Sequence, residues 1–342
     1  MKRSAAVVLA LLSLACSRSG LRPVVVYSPH GKEMLSAFAG AYESLHPDQQ
    51  VQWLDMGSQD VYDRIRTERE NPQADLWWGA PMTAFSRAER EGLLQQYTPS
   101  WDSALPRSCK SAGGFWSGTF LTPEVIMYNS ARVDSAAAPR DWDDLLSPAW
   151  HGKIVIRSPL ASGTMRIIFG SMIMRELQRG GSVSSAMHWL RKLDANTRAY
   201  AADPTQLYLM IAREEGLVTL WDLPDVMIQV QTNSYPFAFV MPASGTPLIT
   251  DAIAIVRGAQ HPEEARQLYE FLTSRESMVR QAREFFRIPT RTDIPRSDLP
   301  AWMSTLELKA LPVDFDSIAA HEKEWMSIWD QTVRGRGASE GN

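Results

Sequence analysis

The chain has 342 residues, enough for two domains or one large one with ample core. Hydrophobic residues make up 44% and charged residues 22%, both ordinary globular values. The formal net charge is −4 with no basic block, which argues against nucleic acid as a partner.

The first residues read as a targeting segment. Lys2 and Arg3 give a charged start, residues 5–12 are a short apolar run, and Ser13-Leu14-Ala15-Cys16 follows. That run is too short to span a bilayer as a permanent helix. A cysteine directly after a small residue resembles a bacterial lipoprotein signal, with Cys16 becoming the lipidated first residue, although Ser13 stands where leucine is usual. The other reading is a plain secretory signal. No other stretch approaches transmembrane length, so the mature chain is expected to be exported. Cys109 is then its one cysteine besides Cys16, and the fold is expected to stand on its core without an internal disulfide.

After a Ser/Arg/Gly linker, residues 24–27 read as a buried strand, Ser28-Pro29-His30-Gly31 as a loop, and residues 32–45 as an amphipathic helix. Strand 51–54, the loop Asp55-Met56-Gly57-Ser58-Gln59 and helix 60–70 repeat the pattern. Strand 74–78, the turn Gly79-Ala80-Pro81 and helix 82–91 repeat it again. Three such units predict a parallel, doubly wound α/β sheet, whose ligands bind beyond the C-terminal strand ends. Residues 120–128, interrupted by Pro123, are expected to lead out of this lobe. A short helix at 141–146 precedes a strand from Ile154. Helices at 164–178 and 183–193, a strand edge at 196–200, a helix opened by Asp203-Pro204 and a strand from 216 to 221 follow. Strands at 237–242 and 247–256, a helix from His261 and a Trp-rich helix at 318–333 complete the reading; residues 335–342 are expected to be disordered.

The stretch Ile154-Val155-Ile156-Arg157-Ser158-Pro159-Leu160-Ala161-Ser162-Gly163-Thr164 carries the clearest chemistry. A β-branched strand breaks at Ser-Pro, and Ser162 or Thr164 can cap the next helix, while Gly163 lets backbone approach a ligand. The N–H groups of a helix start then offer an anion site. Capping alone also accounts for Ser and Thr there. The same strand, polar loop and helix device at Ser28 and Gly31, at Gly57 and Ser58, and at Gly79 and Ala80 raises the binding reading.

The motifs YSPHG, NPQADLWWGAP, SPLASGT, GLVTLWD and PLITDAIAIVRGAQHPEEARQLYEFL together resemble bacterial extracellular solute-binding proteins of ABC importers. Within these, the chain is similar to the ferric-ion, hexose-phosphate and aminoethylphosphonate-binding group. The resemblance covers roughly residues 24–276. It implies a bilobed clamshell of two α/β lobes joined by crossover strands, closing on a buried ligand. Expected boundaries are a signal at 1–15, lipidated Cys and linker at 16–23, the first lobe at 24–120, the second at 121–242, the return to the first at 243–300, and a C-terminal helical segment at 301–342.

Iron-binding members of the group present adjacent tyrosines in the second lobe. This sequence has no Tyr-Tyr pair and carries Trp221-Asp222 where that pair is expected. Neutral donors at helix starts suit a phosphate or phosphonate oxyanion instead. The expected ligand-binding residues are Ser28, His30, Gly31, Ser58, Trp78, Gly79, Ala80, Ser162, Gly163, Thr164, Tyr200 and Asp222, with Tyr200, Trp78 and Asp222 for the uncharged part of the ligand. The alternative is a ferric-ion-binding protein. No G-x-S-x-G, H-E-x-x-H or C-x-x-C pattern supports an exported hydrolase, so neither enzyme activity nor a cofactor is expected. An accessory binding subunit of a two-component sensor would share the fold. The expected partners are a small anionic solute, ABC permease subunits and a membrane reached through lipid on Cys16; the expected state is a monomer, periplasmic or at the cell surface.

Overall fold

The computed structural model describes residues 23–335; the expected signal, Cys16 and residues 336–342 lie outside them. The chain opens with β1 (Val24–Ser28), α1 (Lys32–Leu45), β2 (Val51–Asp55), α2 (Ser58–Thr67), β3 (Leu76–Pro81) and α3 (Met82–Arg90). After β4 (Leu94–Gln95), β5 runs from Ser117 to Asn129. Then come β6 (Ile154–Arg157), α4 (Gly163–Gln178), α5 (Val183–Asn196), β7 (Thr197–Ala201), α6 (Pro204–Ala212), β8 (Val218–Asp222) and α7 (Leu223–Gln231). The return is β9 (Phe237–Val240), β10 (Leu248–Val256), α8 (Pro262–Leu272), α9 (Arg275–Phe285) and β11 (Ile288–Pro289), followed by α10 (Ala301–Thr305) and α11 (Phe315–Thr332).

The strands follow the order β2-β1-β3-β10-β5-β8-β6-β7. β1, β2 and β3 are parallel, as the three repeated units predict, whereas β10 joins β3 antiparallel. The sheet of the first lobe is therefore mixed. β5 belongs to both lobes: Ser117 to Pro123 pair with β10, and Glu124 to Asn129 pair with β8 and β9. Pro123 does not interrupt this strand. It lies where β5 changes partners, so a missing ladder donor is tolerated there.

Two apolar layers sandwich the first-lobe sheet. Alternation along β3 sends Trp78 to the layer of Phe38, Leu268 and Tyr269, and Trp77 to the opposite layer with Phe85, on which it stacks at 4.0 Å. A third cluster fills the second lobe from Val125 through Trp221 and takes in Ile318, Trp325, Met326, Trp329 and Val333 of the C-terminal segment. Helix α11 thus completes the second lobe, with Trp329 edge-on to Phe169 and Tyr200. It also reaches the first lobe. Arg87 of α3 pairs with the buried Glu322, and Arg90 donates to the Ala319 carbonyl at 3.1 Å.

Candidate functional site

The loops expected to bind converge between the lobes. Ser58 opens α2, and Gly163 opens α4 behind its N-cap Ser162, whose Oγ accepts from Met165 N at 3.3 Å. A β-carbon built on Gly163 would stand 2.8 Å from Pro81 Cδ and 3.0 Å from Ser58 Cβ. One on Gly57 would stand 3.1 Å from the Ala161 carbonyl oxygen and 3.7 Å from Arg157 Nη2. The lobes are therefore closed on one another, with two helix starts face to face. Each start carries unpaired N–H groups and about half a positive charge.

Arg157, at the end of β6, adds a full charge to this junction. It is buried, its Nη1 donates only weakly to the Ala201 carbonyl at 3.4 Å, and its Nε meets no protein acceptor. Burial lowers its pKa from the ordinary arginine value, opposed by Asp203 and Asp60, and a group that basic stays charged. The sequence reading passed over it as the last residue of a strand. An Arg in a β-branched run just before a Ser/Gly loop was the available signal.

The first-lobe loops pack tightly around a histidine. Ser28 Oγ accepts from His30 N at 3.2 Å. The His30 ring lies edge-on to Trp78 at 5.4 Å and tilted against Phe120 at 5.0 Å. Its Nε2 would be 2.2 Å from a β-carbon on Gly79, whose φ is +96°, so only glycine fits there. Burial, then the nearby Arg287, hold the imidazole well below its ordinary pKa and hence neutral. Gly79-Ala80-Pro81 is not a turn, as expected, but the irregular end of β3, where Pro81 pairs with Asp251. Ala80 takes a φ of +106°, an uncommon conformation for a residue with a β-carbon. Gly31 also has positive φ (+80°) and precedes α1, and Thr164 sits in the first turn of α4.

Three expected contacts are tied into the fold itself. Trp78 is 1% exposed and belongs to the first-lobe core. Tyr200 donates to Asp194 Oδ1 at 2.6 Å and packs under Trp329, and burial raises its pKa far above the ordinary phenol value. Alternation along a strand does not reveal which buried face looks onto a helix rather than a cleft, which is why both looked available. Asp222 caps α7, its Oδ1 accepting from Asp225 N at 2.9 Å.

The floor of the cleft is the crossover region, and here lie the residues that the sequence reading missed. Phe120, Thr122 and Glu124 alternate onto one face of β5. Asp251 of β10 is opposite Phe120 and accepts from Thr122 Oγ1; Asp222 of β8 is opposite Glu124. Arg287, just before β11, lies over the Phe120 ring at 5.2 Å and donates to Asp225 Oδ1 at 3.2 Å, joining the lobes. Glu124 is fully buried and neither of its carboxylate oxygens meets a protein donor. Among the described residues, no set of three or more His, Cys, Asp or Glu side chains is arranged to hold a metal ion.

A family model for bacterial extracellular solute-binding proteins matches residues 73–306, more than half of the chain. The chain belongs to this family. Among curated relatives, the solute-binding protein is 27% identical to a probable ABC transporter periplasmic-binding protein of Sinorhizobium fredii, over 91% of this chain and 86% of the relative. It is also 27% identical to a putative 2-aminoethylphosphonate-binding periplasmic protein of Salmonella typhimurium, over 83% and 79% of the two chains. Among solved structures, it superposes on the fructose-6-phosphate-bound periplasmic binding protein AfuA of Actinobacillus pleuropneumoniae with a TM-score of 0.80, at 23% identity over 92% and 99% of the chains. A ferric binding protein from Campylobacter jejuni gives 0.77 at 17% identity over 90% and 98%. At those identities the likeness establishes the shared bilobed fold. Among the described residues no helix is long and apolar enough to cross a membrane.

Proposed function

We propose that this periplasmic solute-binding protein captures a small phosphorylated or phosphonate solute between its lobes and hands it to the permease of an ABC importer. The observation that supports it is the meeting of the α2 and α4 helix starts beside the buried Arg157, a donor-rich junction assembled from both lobes. An oxyanion completes N–H and guanidinium hydrogen bonds of both lobes only when they are closed, so its binding energy drives closure. The names of the aminoethylphosphonate and fructose-6-phosphate relatives support this ligand class. The end of β8 also favours it over ferric ion. Trp221 there donates to Tyr208, whose own hydroxyl is committed to Asp225 at 2.8 Å, so no free phenolate is presented. The protein acts in this reading as a binding protein rather than an enzyme, as a monomer tethered by lipid on Cys16.

A thermal-shift panel of hexose phosphates, glycerol phosphates, phosphonates, inorganic phosphate, ferric citrate and neutral sugars tests the assignment. A ligand at a hundred times its Kd stabilises by about 2.7 kcal/mol. Shifts confined to phosphate esters or phosphonates are expected, and a shift with ferric citrate alone would overturn the reading.

A further inference from the structure

We infer that the crossover floor is the second half of the ligand site, where Glu124 receives a protonated amine of the solute. The inference rests on the oxyanion reading above and sharpens it: the ligand is a zwitterion, with its phosphonate or phosphate at the helix starts and its ammonium on β5.

Glu124 is an expensive residue to place here. It is fully buried in a strand shared by both lobes, and both carboxylate oxygens lack a protein donor. A buried carboxylate normally has hydrogen bonds or a counter-ion, and one left bare points to something that arrives later. Its neighbours are committed elsewhere. Asp222 caps α7, Asp251 accepts from Thr122, and Asp225 holds Tyr208 and Arg287. The guanidinium among these carboxyls, Arg287, is turned to Asp225 and not to Glu124. Burial, followed by repulsion from Asp222, Asp251 and Asp225, raises the Glu124 carboxyl well above its ordinary value and so favours its neutral form while no cation is beside it. An arriving ammonium reverses that balance. The carboxyl gives its proton to the solvent, and the carboxylate left behind accepts the N–H bonds of the amine. A neutral hydroxyl in the same place gains no such ion pair.

Calorimetry on the mature protein with three probes, 2-aminoethylphosphonate, 2-hydroxyethylphosphonate and ethylphosphonate, tests this. The amino compound is expected to bind at least about tenfold more tightly than the other two, the factor that a single charge-assisted hydrogen bond supplies. Glu124→Gln should bring the three affinities together. Equal affinities in the wild type, or a preference that survives Glu124→Gln, would overturn the amine assignment and leave the oxyanion reading standing. Failure of all three phosphonates to bind would remove this inference, and the oxyanion reading would then fall only if the phosphate esters and inorganic phosphate of the panel above also failed to bind.

Discussion

Replacing Gly163 by alanine isolates the lobe-closure step. The added carbon would lie 2.8 Å from Pro81 Cδ and 3.0 Å from Ser58 Cβ, both across the cleft. Carbon atoms pack best at about 3.5–4.0 Å, so the lobes must part by roughly half an ångström to an ångström. Overpacking of this kind costs about 1–3 kcal/mol. Here the cost falls on the closed form alone, because Gly163 lacks the positive φ that would strain an alanine, and helices prefer alanine to glycine. A penalty confined to the closed state appears as a rise in Kd of about 5- to 150-fold. Calorimetry with 2-aminoethylphosphonate should show that rise, with the melting temperature of the unliganded protein unchanged or higher. A Kd within twofold of wild type would refute the closed geometry at the α2–α4 junction. A drop of several degrees in the unliganded melting temperature would mean that the glycine serves the second lobe's own fold.

Other expectations follow from the same contacts. Arg87→Ala strands the buried Glu322 and should cost about 3 kcal/mol in urea unfolding, part of it recovered in Arg87→Ala/Glu322→Ala; a double variant as unstable as the single one counts against the pairing. Gly79→Ala should destabilise by about 2–4 kcal/mol through the clash with His30 and the strained φ, and Gly79→Ala/His30→Ala should relieve the clash but not the backbone strain. Glu124, Asp222 and Asp251 all sit above the ordinary carboxylate range, chiefly through burial, so between the unfolded and folded values the folded chain holds more protons. Stability should therefore fall as pH rises through the carboxylate range and above it. Melts from about pH 4.5 to 8 should show a shallower slope for Glu124→Gln than for wild type, and identical slopes would remove Glu124 as a contributor.

Local patterning carried much of this architecture. The β-branched runs and amphipathic helices of the first three units, the Asp203-Pro204 helix start and the Ser162 cap are all present as the sequence predicts. What escaped were features decided by long-range pairing. Glu124 looks unremarkable beside Pro123 until β8 and β10 are laid on either side of it. Arg287 and Asp225 are distant in sequence and meet only because the return segment reaches the second lobe. Gly79 and Ala80 carried the signature of a turn, yet pairing with Asp251 keeps the strand running beyond them. Trp78 and Tyr200 pack against α1 and α11, neighbours that alternation along a strand does not disclose.

The position of α11 bears on how the lobes are held as well as on what they bind. The helix is rooted in the second-lobe core by Trp325, Met326 and Trp329, while Glu322 and Ala319 hold α3 of the first. The C-terminal segment is thus a second bridge between the lobes beside the crossover strands, and any rotation that carried α3 away from α11 would have to break a desolvated ion pair. These contacts are made without a ligand, so they favour the closed arrangement whether or not solute is bound.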